Sequence, residues 1–399
     1  MTDRSPRVSI GLPVYNGQAY LTSTLDSLLG QDFEDFELIV SDNASTDATQ
    51  EICRAYARRD RRIRYYRNSR NLGAAPNYNR VFKLARGALF KWAPHDDLYR
   101  PSYLRRCVET LDEAGANVVL CYPHTLLIDE AGHVYGEYDE GPVVCGATPS
   151  ERLSRLLSNH MTWCHPVVGL IRTDVLKTTK LIGSYPGADH TLLAELALRG
   201  EFREVPERLF LRRTVQGSSP SLHATPDIEE RAAWFDTNRS GRLVLPRMRL
   251  AWEHVKAVCR APIGLREKHA CLRVLRTTPF AEYWSRRMLF EELRLGLYEA
   301  VWERYSVAAL RSGMLGYLPH RLWALMSGIK RRDAACLKLA VSLPSPAVRL
   351  ALLQFVVERL SRRKDAASRE LLDAWYASEC ELHHRAAASV ADVQRTRPV

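Results

Sequence analysis

The chain has 399 residues, 46% hydrophobic and 26% charged, with a formal net charge of +11. That length allows two or three domains and a sizeable core, and the composition is that of an ordinary globular protein. No apolar run reaches the ~18 residues a membrane span needs, and none of the nine cysteines forms a CxxC pair, which argues against a disulfide framework or a zinc ribbon.

The start, Thr2-Asp3-Arg4, is polar and leads at once into a strand, so a cytosolic protein without a secretory leader is expected. The positive charge is uneven. Residues 241–399 carry 28 Lys and Arg against 15 Asp and Glu, leaving 29 against 31 in residues 1–240. The C-terminal part is therefore a candidate surface for anionic lipid or an acidic acceptor. A solvated, Arg-rich helical face reads equally well.

In chain order, Arg7 to Leu12 reads as a strand closed by Pro13. Tyr20 to Leu29 is helical, with Leu21, Leu25, Leu28 and Leu29 on one face. Phe36 to Val40 is a strand ending at Ser41-Asp42-Asn43. Asp47 to Arg59 is a helix with Thr46 as its cap. Ile63 to Tyr66 is a short strand, Asn71-Leu72-Gly73 a turn, and Pro76 to Ala85 a helix. Leu89 to Trp92 is a fourth strand that ends in Asp96-Asp97, followed by a helical pattern after Pro101. Strands alternating with helices predict a parallel sheet of right-handed βαβ units. Val118 to Tyr122 reads as another strand, and Thr125 to Asp129 with Gly132 to Val134 as a hairpin. Residues 137–150 read as a loop and Ala188 to Arg199 as a helix. Beyond residue 241 only helical patterns follow. The expected organisation is an α/β domain over 1–240 and a basic all-α domain over 241–399.

Three strand ends fall on one edge: Pro13-Val14-Tyr15-Asn16, Asp42 to Asp47, and Asp96-Asp97. Open α/β sheets bind ligands at the carboxyl ends of their strands. Singly, each has a plain structural explanation as a turn or a helix cap. Together they offer an aromatic face, amide and carboxylate acceptors, and oxygen ligands for a hard cation such as Mg²⁺ or Mn²⁺.

These segments, VSIGLPVYNG, FELIVSDNASTD, the Arg67–Gly73 run RNxxNLG and the acidic strand end, resemble family 2 glycosyltransferases over residues 7 to about 215. The resemblance implies the GT-A fold, a Rossmann-like, mostly parallel sheet with flanking helices. It implies a metal-dependent enzyme moving a sugar, with inversion, from a UDP-, GDP- or dTDP-type donor. The acceptor would be a glycan, lipid-linked sugar, natural product or peptide, and no nucleic acid is expected. Donor contacts are implied for Pro13, Tyr15, Asn16 and Asp42, with Asn71 and Gly73 in the same pocket and Asn77 and Lys91 as further candidates. The family's Asp-x-Asp motif corresponds here to Pro94-His95-Asp96, which makes Asp96 the metal ligand with Asp97 supporting. Asp189, at the start of the helix after Gly187, takes the place of the base, and the family's preceding Glu is Ala188 here. An N-cap role for Asp189 is the alternative, and Glu195 on the same helix is expected to be exposed. Arg212 and Arg213 are candidate phosphate contacts, or else ordinary surface cations. The run from His160 to His165, with Trp163, is a candidate acceptor wall. Other readings are a sugar nucleotidyltransferase, which would normally carry a Gly-rich phosphate loop after the first strand, and a non-catalytic binding scaffold. The basic C-terminal part would also suit peripheral contact with the inner face of a membrane, or a homodimer.

Overall fold

The structure, a computed structural model, describes residues 5–138, 141, 143–158, 164–214, 246–278 and 280. All of them fall within one compact unit, residues 1–303. The first half alternates strands and helices: β1 (Val8–Val14), α1 (Leu21–Leu29), β2 (Phe36–Asp42), α2 (Thr49–Arg59), β3 (Ile63–Arg67), α3 (Ala74–Lys83) and β4 (Leu89–Trp92). Every residue of β1, β2 and β4 is buried. Strands covered on both faces read as unbroken apolar runs, which is why these were legible. The four pair in parallel, in the order β3-β2-β1-β4. Leu21, Leu25 and Leu28 pack α1 onto one face of this sheet, while Ala75, Val81 and Phe82 pack α3 onto the other.

The second half is mixed. It contains β5 (Leu98–Tyr99), α4 (Tyr103–Glu113), β6 (Val118–Ile128), β7 (Val134–Glu137), α5 (Pro149–Ser158), a 3₁₀ turn (His165–Val168), β8 (Leu170–Arg172), α6 (Thr173–Leu176), α7 (Ala188–Ala197) and β9 (Glu201–Arg213). β8 joins β4 antiparallel, β6 follows β8 antiparallel, and β9 runs parallel to β6 along its whole length. β5 closes the path antiparallel to β9. The sheet is thus all-parallel in its first half and mixed in its second, where the β6–β9 pair is parallel and the other pairs antiparallel.

Several boundaries differ from expectation for local reasons. The strand at 118–122 and the first hairpin arm are one strand, β6, whose pairing with β9 shifts at Pro123 and His124. The hairpin partner β7 is real and antiparallel. Helix α2 starts at Thr49 with Ala48 before it; Asp47 Oδ1 accepts from Thr49 N at 3.0 Å, while Thr46, the expected cap, donates its backbone N–H to Asn16 Oδ1. Helix α3 starts two residues early, at Ala74, which Gly73 permits by taking φ 86. Part of the expected loop at 137–150 enters α5 at Pro149.

Two more helices, α8 (Pro246–Arg260) and α9 (Leu265–Thr277), pack on α5 and α7. Leu250, Val258, Cys271 and Leu275 form a core there with Leu153, Leu157, Ala194 and Leu198. This explains α7. Nine of its ten residues are buried, as expected of a helix enclosed on all sides. The expected domain boundary at 240/241 and the remainder of the expected helical domain, 281–399, lie outside the described residues.

Candidate active site

The carboxyl ends of β1, β2 and β3 are laced together by side chains. Asn16 donates its backbone N–H to Ser45 Oγ (2.9 Å) and accepts from Thr46 N at Oδ1 (2.9 Å). Gly17 N donates to Thr49 Oγ1 at 2.8 Å. Asn16 and Ala44 both sit at positive φ, 50° and 63°. Non-glycine residues hold such backbone only where their surroundings over-determine it. Tyr15 is 43% exposed, so its ring is available to a ligand. Pro13 lies inside β1, paired with Ser41, and is buried.

Asn43 is the hub that sequence reasoning missed. Its Nδ2 donates to Asn71 Oδ1 (2.8 Å) and to Gly73 O (3.1 Å). Its Oδ1 accepts from Asn68 Nδ2 (2.8 Å) and Leu72 N (3.0 Å). Asn68 Nδ2 also donates to Asn77 Oδ1, which in turn accepts from Ser41 Oγ. Asn77 is therefore a buried brace between α3 and β2. The only sequence signal was the recurrence of amides at neighbouring strand ends. Asn71 and Gly73 border this lattice, Asn71 partly exposed and Gly73 buried.

Asp42, implied by the resemblance to touch the donor, is fully covered. Its Oδ1 accepts from Ser45 N (2.8 Å), and its Oδ2 accepts from Tyr65 Oη (2.8 Å) and Arg67 Nη1 (2.5 Å). In this structure it holds the turn after β2.

The β4 end carries the acidic pair. Asp97 is 5% exposed and its Oδ1 accepts from Arg213 N at 2.8 Å. Burial, and next the Asp96 charge, raise its pKa above the usual carboxylate range. Asp96 is half-exposed, and its side chain has no hydrogen-bond or ion-pair partner among the described residues. An uncommitted oxygen donor of this kind fits a hard cation, whereas Asp97 is directed inward. Arg213, itself buried, spends its guanidinium on the carbonyls of Asp96, Asp129 and Glu130 and stacks on Tyr20. It fixes the acidic segment in place. Arg212 pairs with His165 Nε2 at 2.9 Å and feels the charges of Asp97 and Asp96.

Lys91 is fully buried on β4, its Nζ 3.9 Å from the Tyr99 ring centre and 4.6 Å from that of Tyr103. Both rings belong to the core under α4, so Lys91 is walled off from solvent. Burial lowers its pKa from 10.5 to about 7. The unfolded chain holds that proton to higher pH, so stability rises between about pH 7 and 10.5, and the penalty is fully present below pH 7. Burying a charge without an opposite charge beside it is costly, so a well-packed apolar group in its place is stabilising. Lys91→Met is expected to raise the melting temperature more at pH 6 than at pH 9. Equal shifts at both pH values would contradict a buried, strained ammonium.

Asp189 lies in the first turn of α7, where Gly187 at φ 78 holds the N-cap position without a side-chain bond. The N-cap alternative for Asp189 therefore fails: its Oδ1 accepts from the neighbouring His190 N, at 3.0 Å, and its carboxylate also accepts from the Cys164 thiol. Glu195, expected to be exposed, is 3% exposed instead. It accepts from Lys180 N (2.8 Å) and pairs with Arg260 of α8 (2.8 Å). Cys164 Sγ sits 3.0 Å from His190 Nδ1. Residues 160–163 of the candidate acceptor wall, Trp163 among them, lie outside the described residues.

One neighbourhood contains the key charges. The Tyr78 phenol is raised in pKa by burial and then by Asp96, Asp97 and Asp189, with Arg212 opposing. Hydrogen bonds link the β4 end, the β9 end and the start of α7: Arg213 N donates to Asp97, Arg212 meets His165, and the adjacent Cys164 meets His190. A model of glycosyl transferase family 2 matches residues 9–174, which span all but the last two of those elements. Residues 9–174 are a family 2 glycosyltransferase domain. An uncharacterized glycosyltransferase of Rickettsia typhi is 36% identical to the chain over 129 residues, 32% of this chain and 39% of that relative. The chain thus spans about two fifths of that relative's length. An uncharacterized glycosyltransferase of Haemophilus influenzae is 25% identical over 228 residues, 55% of this chain and 69% of the relative. Among solved structures, Staphylococcus aureus TarS residues 1–349 with UDP-GlcNAc superpose with a TM-score of 0.51 at 18% identity, over 73% of this chain and 81% of that one. That likeness establishes for the family 2 domain and its surroundings the GT-A fold. The described residues contain no helix long and apolar enough to cross a membrane.

Proposed function

We propose that the chain transfers a sugar, with inversion, from a nucleotide-sugar donor to a hydroxyl or similar nucleophile of its acceptor. The observation that carries this reading is the linking of the acidic β4 end, Arg212 on β9 and the start of α7 with Asp189 by hydrogen bonds, beside loops braced by Asn16 and Asn43. The UDP-GlcNAc bound to TarS supports a donor of this class.

Tyr15 offers a face to the donor base, and the amide lattice of Asn43, Asn71 and Asn77 with the buried Asp42 and Pro13 fixes the pocket floor. Arg212 sits where the diphosphate would lie, and Arg213 and Asp97 hold the acidic segment behind it. Asp189 takes the acceptor's proton as the acceptor oxygen attacks the anomeric carbon. Attack on the face opposite the leaving diphosphate inverts that centre. A Mg²⁺ or Mn²⁺ ion on Asp96 and the donor phosphates would supply charge neutralisation of the leaving group. The positive balance of residues 241–399 supports an acceptor that is anionic or seated on anionic lipid.

A calorimetric screen of UDP-, GDP- and dTDP-sugars, with Mn²⁺ and with EDTA, tests this. One nucleotide class is expected to bind in a metal-dependent way. Asp96→Ala is expected to weaken that binding by at least about tenfold and to abolish its metal dependence. A well-folded chain that binds none of them is not this enzyme, and unchanged affinity in Asp96→Ala removes that residue as the ligand.

A further inference from the structure

At the start of α7 three side chains of different chemistry meet. Cys164 Sγ is 3.0 Å from His190 Nδ1. An oxygen of Asp189 lies within 4.8 Å of both. His190 is buried, and the other two are half-buried. No spacing motif announces the group, since Cys164 precedes the 3₁₀ turn while the other two begin a helix.

A thiol, an imidazole and a carboxylate form the donor set of Zn²⁺, which takes sulfur at about 2.3 Å and nitrogen or oxygen at about 2.0–2.2 Å. Those bond lengths put tetrahedral ligands roughly 3.3–3.7 Å apart, so the three side chains need to move by no more than about an ångström. Hard cations prefer all-oxygen sites, while thiolate and imidazole select zinc. We propose that Cys164, Asp189 and His190 form a zinc site, separate from the hard-cation position at Asp96, and that zinc bound there blocks sugar transfer. On binding, the Cys164 thiol releases its proton to solvent and its sulfur lone pair bonds to the metal. No electron changes hands. Asp189, now donating a lone pair to zinc, no longer accepts the acceptor's proton. The blocking rests on Asp189 being the base; the binding does not.

The test uses the full chain stripped with EDTA, and Co²⁺ as a spectroscopic stand-in for zinc. One equivalent of Co²⁺ is expected to give a thiolate-to-cobalt absorption band in the near ultraviolet, which Zn²⁺ displaces. Cys164→Ser loses the band, while Asp96→Ala and Cys259→Ser keep it. His190→Gln is expected to weaken cobalt binding by at least about 100-fold, the upper end of the cost of losing even a supporting partner. No band in the wild type, or an undiminished band in Cys164→Ser, overturns the site. In transfer assays with Mg²⁺, each protein is compared with its own zinc-free rate: zinc is expected to inhibit the wild type, reversibly by EDTA, and to spare Cys164→Ser. Equal inhibition of both overturns the blocking. A chain with no transferase activity would still show the cobalt band.

Discussion

Asp189→Asn is expected to lower the transfer rate by about 10³-fold while changing donor affinity less than about twofold. A positioned general base contributes roughly 10²–10⁴ in rate, and each decade corresponds to about 1.4 kcal/mol of barrier. The substitution is nearly isosteric. Its remaining oxygen still accepts from His190 N, so α7 keeps its start. The proposed contacts to the donor base and pocket floor lie on β1, β2 and the loops after them rather than on this helix. Single-turnover transfer separates the chemical step from binding. A variant that turns over like the wild type removes Asp189 as the base. A variant that loses donor binding as well places Asp189 in the donor site.

Asp42→Ala is the substitution expected to cost the most stability. It leaves Ser45 N and Tyr65 Oη without their acceptor in a fully covered site. Breaking a buried pair costs about 3–5 kcal/mol, but the Arg67 side chain is 32% exposed and recovers part of that by turning to water, so about 2–3 kcal/mol is expected. The turn it anchors includes Ala44 at φ 63 and the Ser45 and Thr46 groups that bind Asn16. Donor affinity is therefore expected to fall at least about tenfold along with the melting temperature, although Asp42 presents no surface of its own. Thermal melting and donor titration on the same sample read both effects. An unchanged melting temperature would contradict the anchoring role. A lowered melting temperature with intact donor affinity would confine Asp42 to stability.

The legible half of the fold was the half whose strands are long and covered on both faces. β1, β2 and β4 declare themselves as unbroken apolar runs, and the helices between them follow from their one-sided patterns. β5 and β8, of two and three residues, owe their existence to partners already in place, so no local pattern marks them. β9 interleaves charged residues and Pro206 with its buried positions, which obscures a 13-residue strand. At the site, the sequence pattern identifies the acidic strand end and Asp189 by position. It predicts an exposed Glu195 because a helix enclosed on all sides has no polar face to read, and because the partner that makes burial tolerable, Arg260, lies 65 residues away. The hub role of Asn43 is hidden for a similar reason. An amide in a turn looks the same in sequence whether it serves its own loop or, as Asn43 does, four residues of another.

The Glu195–Arg260 pair makes α7 a lever held at both ends. One end carries Asp189, and nearly two helical turns further on the same rod is pinned by a cation that belongs to α8. A rigid helix passes a displacement at one end to the other, so the angle at which Asp189, the proposed base, would meet an acceptor is set partly by residues well past the sheet. The helices after residue 245 are therefore not interchangeable luggage for this domain. Any relative that replaces them inherits a buried anion in need of a new cation, and a proposed base whose aim must be found again.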